Sequence, residues 1–412
     1  MIPRDACSEL VKQAGNHSVS VLIGSRQVGK STLMQMVRDE LGGQSRWYNL
    51  ENPLHLTLFN DGYTSFMRQN RERLVFIDEF QYCGNISSIF KAVYDLNPEI
   101  KIYASGSSSL EIQAHLKESL AGRKLERVIF PLTFSEWLVS ADSARARIPV
   151  VGEVVRVDEA ESYRKHLDEF IRFGGMPGLI AMDDEVEKRG YLFGIYQTYI
   201  ARDIKLFLKN ESVLSFNKMI SWLALHNGGQ LNKNALATVA GVSSRQIDRF
   251  LEVLQGTFVL SLLPPFFSNK GKELVKTPKY FFYDQGVANA IIQDFRPSAL
   301  RPDSGALNEQ FVFWELRKHI DIRYSLRYWR TQDGKEVDFI LEKDRVSLPV
   351  EVKSGWKPGK VPSGMMAFFD YYADTRRGVV LYDGPEETIS FKNRIVHFVP
   401  LFKACSVLAI LE

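Results

Sequence analysis

One segment restricts the fold more than anything else in the chain: Gly24-Ser25-Arg26-Gln27-Val28-Gly29-Lys30-Ser31-Thr32. Its spacing is G-x-x-x-x-G-K-[ST], in which the glycines let successive backbone N–H groups converge on phosphates at a helix N-terminus. The motif has meaning only between a strand and a helix, and it has that context here. Ser18-Val19-Ser20-Val21-Leu22-Ile23 is an apolar run of buried-strand length, and Leu33, Met36 and Val37 continue in helical spacing. Lys30 is then placed to reach the β- and γ-phosphates of ATP, and the hydroxyl of Ser31 to complete a magnesium shell. A plain glycine turn would leave both side chains without a task.

A second apolar run, Leu74-Val75-Phe76-Ile77, ends in Asp78-Glu79. Too short for a helix, it reads as a buried strand that delivers two acids at its C-terminal end. Asp78 is expected to hold the magnesium and Glu79 to act as general base on the attacking water. A third run, Ile100-Lys101-Ile102-Tyr103-Ala104, leads into Ser105-Gly106-Ser107-Ser108-Ser109. Ser107 is the candidate sensor of the γ-phosphate; the competing reading is a serine-rich cap for a helix starting at Leu110. Arg123, after Leu120-Ala121-Gly122, is a candidate finger on a neighbouring subunit's nucleotide, which requires a homo-oligomer, or else a solvated surface arginine.

At 412 residues and about 150 residues per domain, two to three domains are expected. With 45% apolar and 25% charged residues, each is able to bury a core. A net charge of only +3 means that any nucleic-acid contact must come from a local basic face. Cys7, Cys83 and Cys405 form no C-x-x-C pair, so neither a zinc knuckle nor a disulfide framework is indicated. No secretory signal and no run of roughly 18 to 20 apolar residues is present, which points to a cytoplasmic protein without a membrane partner.

From Tyr163 to Lys209 the pattern is helical, interrupted by Gly174-Gly175-Met176-Pro177-Gly178, and suggests a small lid. Further on, a short helix stops at Gly241. Ser243 or Ser244 then caps a second helix whose Ile247, Phe250, Leu251 and Leu254 share one face. That leaves Arg245, Gln246 and Arg249 outward, as on a recognition helix in a major groove. Phe258–Leu263 reads as a wing strand. Between Glu211 and Tyr280 there are eight Lys and Arg against four Asp and Glu, a local excess of +4. Lys270, Lys272, Lys276 and Lys279 cluster after the wing, where they would neutralise DNA phosphates. The competing reading is a structural module without nucleic acid.

Near the C-terminus, Gly305–Leu316 reads as a helix, followed by the strands Glu336–Leu341 and Leu348–Lys353. Alternation puts Glu351 and Lys353 on one face, and a hairpin turning at Lys343-Asp344-Arg345 brings Asp338 beside them.

Taken together, the glycine loop, Ile77-Asp78-Glu79-Phe80-Gln81, Ser105-Gly106-Ser107-Ser108, Leu120-Ala121-Gly122-Arg123, Pro131-Leu132-Thr133-Phe134-Ser135-Glu136, Phe173-Gly174-Gly175-Met176-Pro177, Thr198–Ile204 and Pro278–Asp284 resemble the prokaryotic AAA+ ATPases that carry a C-terminal domain of unknown function. The resemblance covers nearly the whole chain. It implies an α/β protein with a P-loop AAA+ core (1–145), a helical lid (146–210), a winged-helix domain (211–300) and a restriction-endonuclease-like α/β end (301–412). The end resembles the PD-(D/E)XK nuclease core, which implies Asp338 and Glu351 as magnesium ligands, Lys353 as the residue that positions water, and Glu309 as a fourth member. Three functions compete: an ATP-driven protein that binds and remodels duplex or branched DNA, an ATP-regulated nuclease, and a nucleotide-operated signalling switch without nucleic acid.

Overall fold

The computed structural model describes residues 2–107, 120–142, 147–198, 212–267, 277–357 and 359–411. The helix expected from Leu110, and the lysines Lys270, Lys272 and Lys276, lie outside the described residues. The chain forms two compact units. One comprises Met1–Leu132, Met176–Gly178 and Glu252–Val259; the other comprises Thr133–Gly175, Leu179–Leu251 and Leu260–Glu412.

The first unit is built on five strands: β1 (Val19–Gly24), β2 (Arg46–Asn49), β3 (Leu74–Asp78), β4 (Lys101–Ser107) and β5 (Lys124–Val128). They lie in the order β2-β3-β4-β1-β5, and every neighbouring pair is parallel. All of β1 and most of β3 are buried, because helices cover both faces of such a sheet; this is why their sequences are continuous apolar runs and do not alternate. The helices α1 (Asp5–Lys12), α2 (Lys30–Leu41) and α3 (Ile86–Leu96) belong to this layer. In α3, Ile86, Ile89, Phe90 and Val93 make the apolar stripe that packs inward. Strand β5, Lys-Leu-Glu-Arg-Val, has no apolar run to announce it; its charges are tolerated because it is an edge strand.

The second unit begins with α4 (Phe134–Ala141), opened by a capping box between Thr133 and Glu136. Then come α5 (Val157–Phe173) and α6 (Glu185–Ile195), and between them the chain breaks at Gly174, as glycine and proline require. Three helices, α7 (Val213–Leu225), α8 (Lys233–Ala240) and α9 (Ser244–Gly256, of which Glu252–Gly256 counts with the first unit), precede an antiparallel hairpin of β6 (Leu260–Leu263) and β7 (Lys279–Phe282). Strand β7 is buried at every position. Tyr280 donates to the carbonyls of Leu223 and His226, and the carbonyl of Phe282 accepts from Gln310 and Trp314.

After α10 (Gln285–Ile292) and α11 (Ser304–His319) comes a six-stranded mixed sheet: β8 (Tyr324–Arg330), β9 (Glu336–Lys343), β10 (Val346–Lys353), β11 (Arg377–Tyr382), β12 (Glu387–Phe391) and β13 (Arg394–Pro400). Its order is β12-β13-β11-β10-β9-β8. The expected β9–β10 hairpin is present, with Asp344 and Arg345 both at positive φ (50° and 67°), as a tight two-residue turn needs. Helix α12 (Ser363–Tyr371) provides the crossover between the parallel strands β10 and β11.

One side chain joins distant segments of this unit. Asp284, 7% exposed, caps α10 by accepting from the amide of Val287 at 3.0 Å, and also accepts from the amide of Gly175 at 2.8 Å. Gly174 passes so close that a Cβ there would lie 2.2 Å from Asp284 Oδ1. Two of the blocks that look family-like in the sequence therefore meet at one carboxylate. Among the described residues no helix is long and apolar enough to cross a membrane.

Candidate functional site

In a parallel sheet the strand C-termini share one edge, and ligands bind in the crevice outside that edge. Here β1 ends in Gly24 and β3 in Asp78, and the β1–β4 register sets Gly24 beside Ser107. The segment between β1 and α2 leaves the sheet with Gln27 at φ 62° and Gly29 at φ 87°. Gly24 also fits too closely for a side chain: a Cβ would come 2.3 Å from the carbonyl oxygen of Ile129. Helix α2 opens at Gly29 with no side-chain cap, so its first N–H groups remain available to a ligand. Within the loop Ser25 and Val28 are buried, Arg26 and Gln27 exposed, and Ser31 and Thr32 form the first turn of α2.

Lys30 is 6% exposed, and its ammonium donates to the carbonyls of Gly24 at 3.0 Å and Ser25 at 2.7 Å. Burial pushes its pKa down to about 8, while the nearby charges of Glu79 and Asp78 work in the opposite direction. Asp78, also buried, accepts from the hydroxyl of Ser105 and from the amide of Glu79 at 3.1 Å. Glu79 stands at φ 55°, ψ 44°, a left-handed conformation uncommon for a glutamate, and accepts from the side chain of Gln81.

These residues fit a nucleoside triphosphate with its cation: a loop bounded by Gly24 and Gly29, uncapped helix amides, a buried ammonium and a strand-end carboxylate surround one edge. Ser31 and Asp78 are the oxygen donors that would hold magnesium, whose charge would neutralise the phosphates. Since a phosphate recruits only the charged ammonium, ATP affinity is expected to hold up to about pH 8 and to fall roughly tenfold per pH unit above it, as the neutral Lys30 must first take up a proton. Calorimetry across that range, in buffers of different ionisation enthalpy, measures both the affinity and the proton uptake; a flat profile would contradict the assignment.

Two contributors to this site give no signal in the sequence. Ser105 donates to Asp78, because the parallel β3–β4 register, with Ala104 opposite Ile77, sets it beside the end of β3. Arg4 donates to the carbonyls of Val28 at 2.9 Å and Phe130 at 2.8 Å, so a residue ahead of α1 holds the end of the loop. Of Ser107, only its backbone position at the end of β4 is described.

Arg123 lies away from the glycine loop. It precedes β5, whose Lys124 pairs with Val19, so it sits at the sheet edge opposite the glycine loop. There its guanidinium pairs with Asp95 at 2.9 Å and lies over the ring of Tyr94. This is the surface position of the second reading, with the arginine in an ion pair.

In the second unit, Arg245 and Arg249 are exposed on α9, in keeping with their expected outward position. Gln246 is spent locally: its side-chain oxygen accepts from the amide and the hydroxyl of Ser243, and its own amide donates back to that hydroxyl at 3.3 Å. It is a capping residue of α9, not a free reader of bases.

Lys279 is the largest correction. Expected on the surface with the other lysines, it is 5% exposed, and its ammonium pairs with Glu336 at 2.5 Å and Glu309 at 3.2 Å. The expected C-terminal residues do converge around it. Lys353 bonds Glu351 at 2.7 Å and lies 3.9 Å from Asp338, which accepts from the amide of Val352. Burial, then the charge of Asp338, pushes Glu351 and Glu309 above the usual carboxylate range, against the pull of Lys353 and Lys279 respectively. The cluster does not fit a divalent metal as it stands: its carboxylates are turned onto two ammonium groups, and no group of three His, Cys, Asp or Glu among the described residues is arranged to hold one.

Comparison with known proteins agrees with the first unit. Residues 16–138 match the family model described as an AAA domain, residues 164–298 a domain of unknown function (DUF8612), and residues 304–403 another (DUF4143). An uncharacterized protein of Mycobacterium tuberculosis is 26% identical over 92% of this chain and 80% of its own length. One of Methanocaldococcus jannaschii is 25% identical over 94% and 88%. Solved structures with weak likeness include the Aeropyrum pernix ORC1 protein in complex with DNA (TM-score 0.33, 14% identity, 71% of this chain and 93% of that one). Another is the Thermotoga maritima RuvB Holliday junction branch migration motor (TM-score 0.31, 18% identity, 64% and 90%). The chain thus joins an AAA-type, nucleotide-binding P-loop domain to two domains of unknown function.

Proposed function

We propose that the protein hydrolyses ATP and uses the cycle to change its grip on DNA. The observation that carries the first half is the convergence of Lys30, Asp78 and Glu79 on the mouth of the glycine loop. Lys30 has its ammonium on the carbonyls of Gly24 and Ser25 and needs only to swing from them onto the phosphates. Asp78 is held by Ser105 and the following amide, which fixes a carboxylate for the cation. Glu79 is one residue further along, aimed by its left-handed backbone and by Gln81, and takes the proton of the attacking water.

For the second half, the support is the sequence α7-α8-α9 followed by the β6–β7 hairpin, which is the element order of a winged helix, and the exposed Arg245 and Arg249 on α9. Arginines on that face contact backbone phosphates or guanine edges. Duplex DNA is expected to bind with an affinity that falls as salt rises, and the Arg245→Ala/Arg249→Ala double variant to lower the log–log slope by about two. Fluorescence anisotropy against salt reads this directly. Absence of binding to both duplex and forked DNA at low salt removes the DNA role and leaves the nucleotide-operated switch.

A further inference from the structure

The carboxylates around β9 and β10 already have a cation, and the chain supplies it. Glu309 on α11, Glu336 and Asp338 on β9 and Glu351 on β10 come together in the second unit, and all except Glu336 and Glu309 are nearly inaccessible. Lys353 is a neighbour on the same strand as Glu351. Lys279 is different in kind: it arrives from β7, outside the sheet, and its ammonium sits between Glu309 and Glu336 with the ring of Tyr328 along one side at 5.6 Å.

Its placement is built from several directions. Tyr328 is held by its hydroxyl, which donates to the carbonyl of Thr277 at 2.5 Å and accepts from Gln230 at 3.2 Å. The backbone of Lys279 pairs with Leu263 on one side and bridges to Gln230 on the other. A lysine buried this deeply would lose its charge to desolvation, but Glu309, Asp338 and Glu336 outweigh that and hold it above the usual lysine range.

We propose that Lys279 is a built-in cation that occupies the charge position of the carboxylate cluster and closes it to divalent metal ions. In this state the cluster is a lysine-bridged joint between the β6–β7 hairpin and the C-terminal sheet. Removing the ammonium while keeping the side chain polar leaves carboxylates that a hard divalent cation is suited to neutralise.

Manganese alone serves as the probe, titrated into the full-length chain without nucleotide and followed by loss of its free-ion EPR signal. The wild type and Lys279→Arg are expected to bind no ion that depends on Asp338. Lys279→Gln is expected to gain one ion per chain, at least about tenfold tighter than any in the wild type, and to lose it again when Asp338→Asn is added. A wild-type ion that disappears in Asp338→Asn overturns the proposal, as does a folded Lys279→Gln that gains none. If Lys279→Gln is too unstable to isolate, manganese present during refolding is expected to rescue it; failure of that rescue, where Lys279→Arg refolds unaided, also overturns it.

Discussion

Glu79→Gln is expected to bind ATP as tightly as the wild type and to hydrolyse it roughly 10²- to 10⁴-fold more slowly, the usual contribution of a general base. The amide keeps the shape of the side chain and an oxygen to accept from Gln81, so the left-handed turn at this residue survives. What disappears is the capacity to take a proton from water. In the proposed site phosphate binding rests on other groups, namely Lys30 and the amides that open α2, and these are untouched. Steady-state phosphate release together with equilibrium nucleotide binding separates the two effects. An unchanged turnover rate would place the base elsewhere; a loss of binding would show that Glu79 shapes the loop itself.

The second large effect is on stability. Asp284→Ala is expected to cost about 2–4 kcal/mol, seen as a lower urea midpoint, because two losses coincide. Helix α10 loses its N-cap, worth about 1 kcal/mol, and the amide of Gly175 is left buried without an acceptor, worth roughly 1–3 kcal/mol. Asp284→Asn keeps one oxygen for the cap and is expected to fall between wild type and alanine. Equal midpoints for the alanine variant and the wild type would mean that water or a neighbouring group replaces the carboxylate without loss.

Much of the nucleotide-binding unit is legible in the sequence, since its signals are local. Buried parallel strands leave apolar runs, and the runs Ser18–Ile23 and Leu74–Ile77 announce β1 and β3; the glycine loop declares itself by spacing. The β9–β10 hairpin is legible for the same reason, as two alternating runs around a polar tip. What escapes is whatever depends on partners far away in the chain. Lys279 looks like its lysine-rich surroundings, and only Glu309 and Glu336, supplied by α11 and β9, make it a buried ion. Arg4 meets Val28 and Phe130 through the tertiary fold alone. Strand β5 hides because an edge position accepts Lys124, Glu126 and Arg127. The place of Arg123 at the far end of the sheet follows in the same way from the β1–β5 register, which no local pattern encodes.

The backbone of Glu79 has a thermodynamic corollary. A side chain with a Cβ pays about 1–2 kcal/mol to sit in the left-handed region, and glycine or asparagine there would relieve most of it. Folding alone gives no reason to retain glutamate at such a place. A search for variants that simply melt higher would therefore be drawn to this residue first, and, on the role proposed for Glu79, its winners would be the ones in which phosphate release has gone quiet.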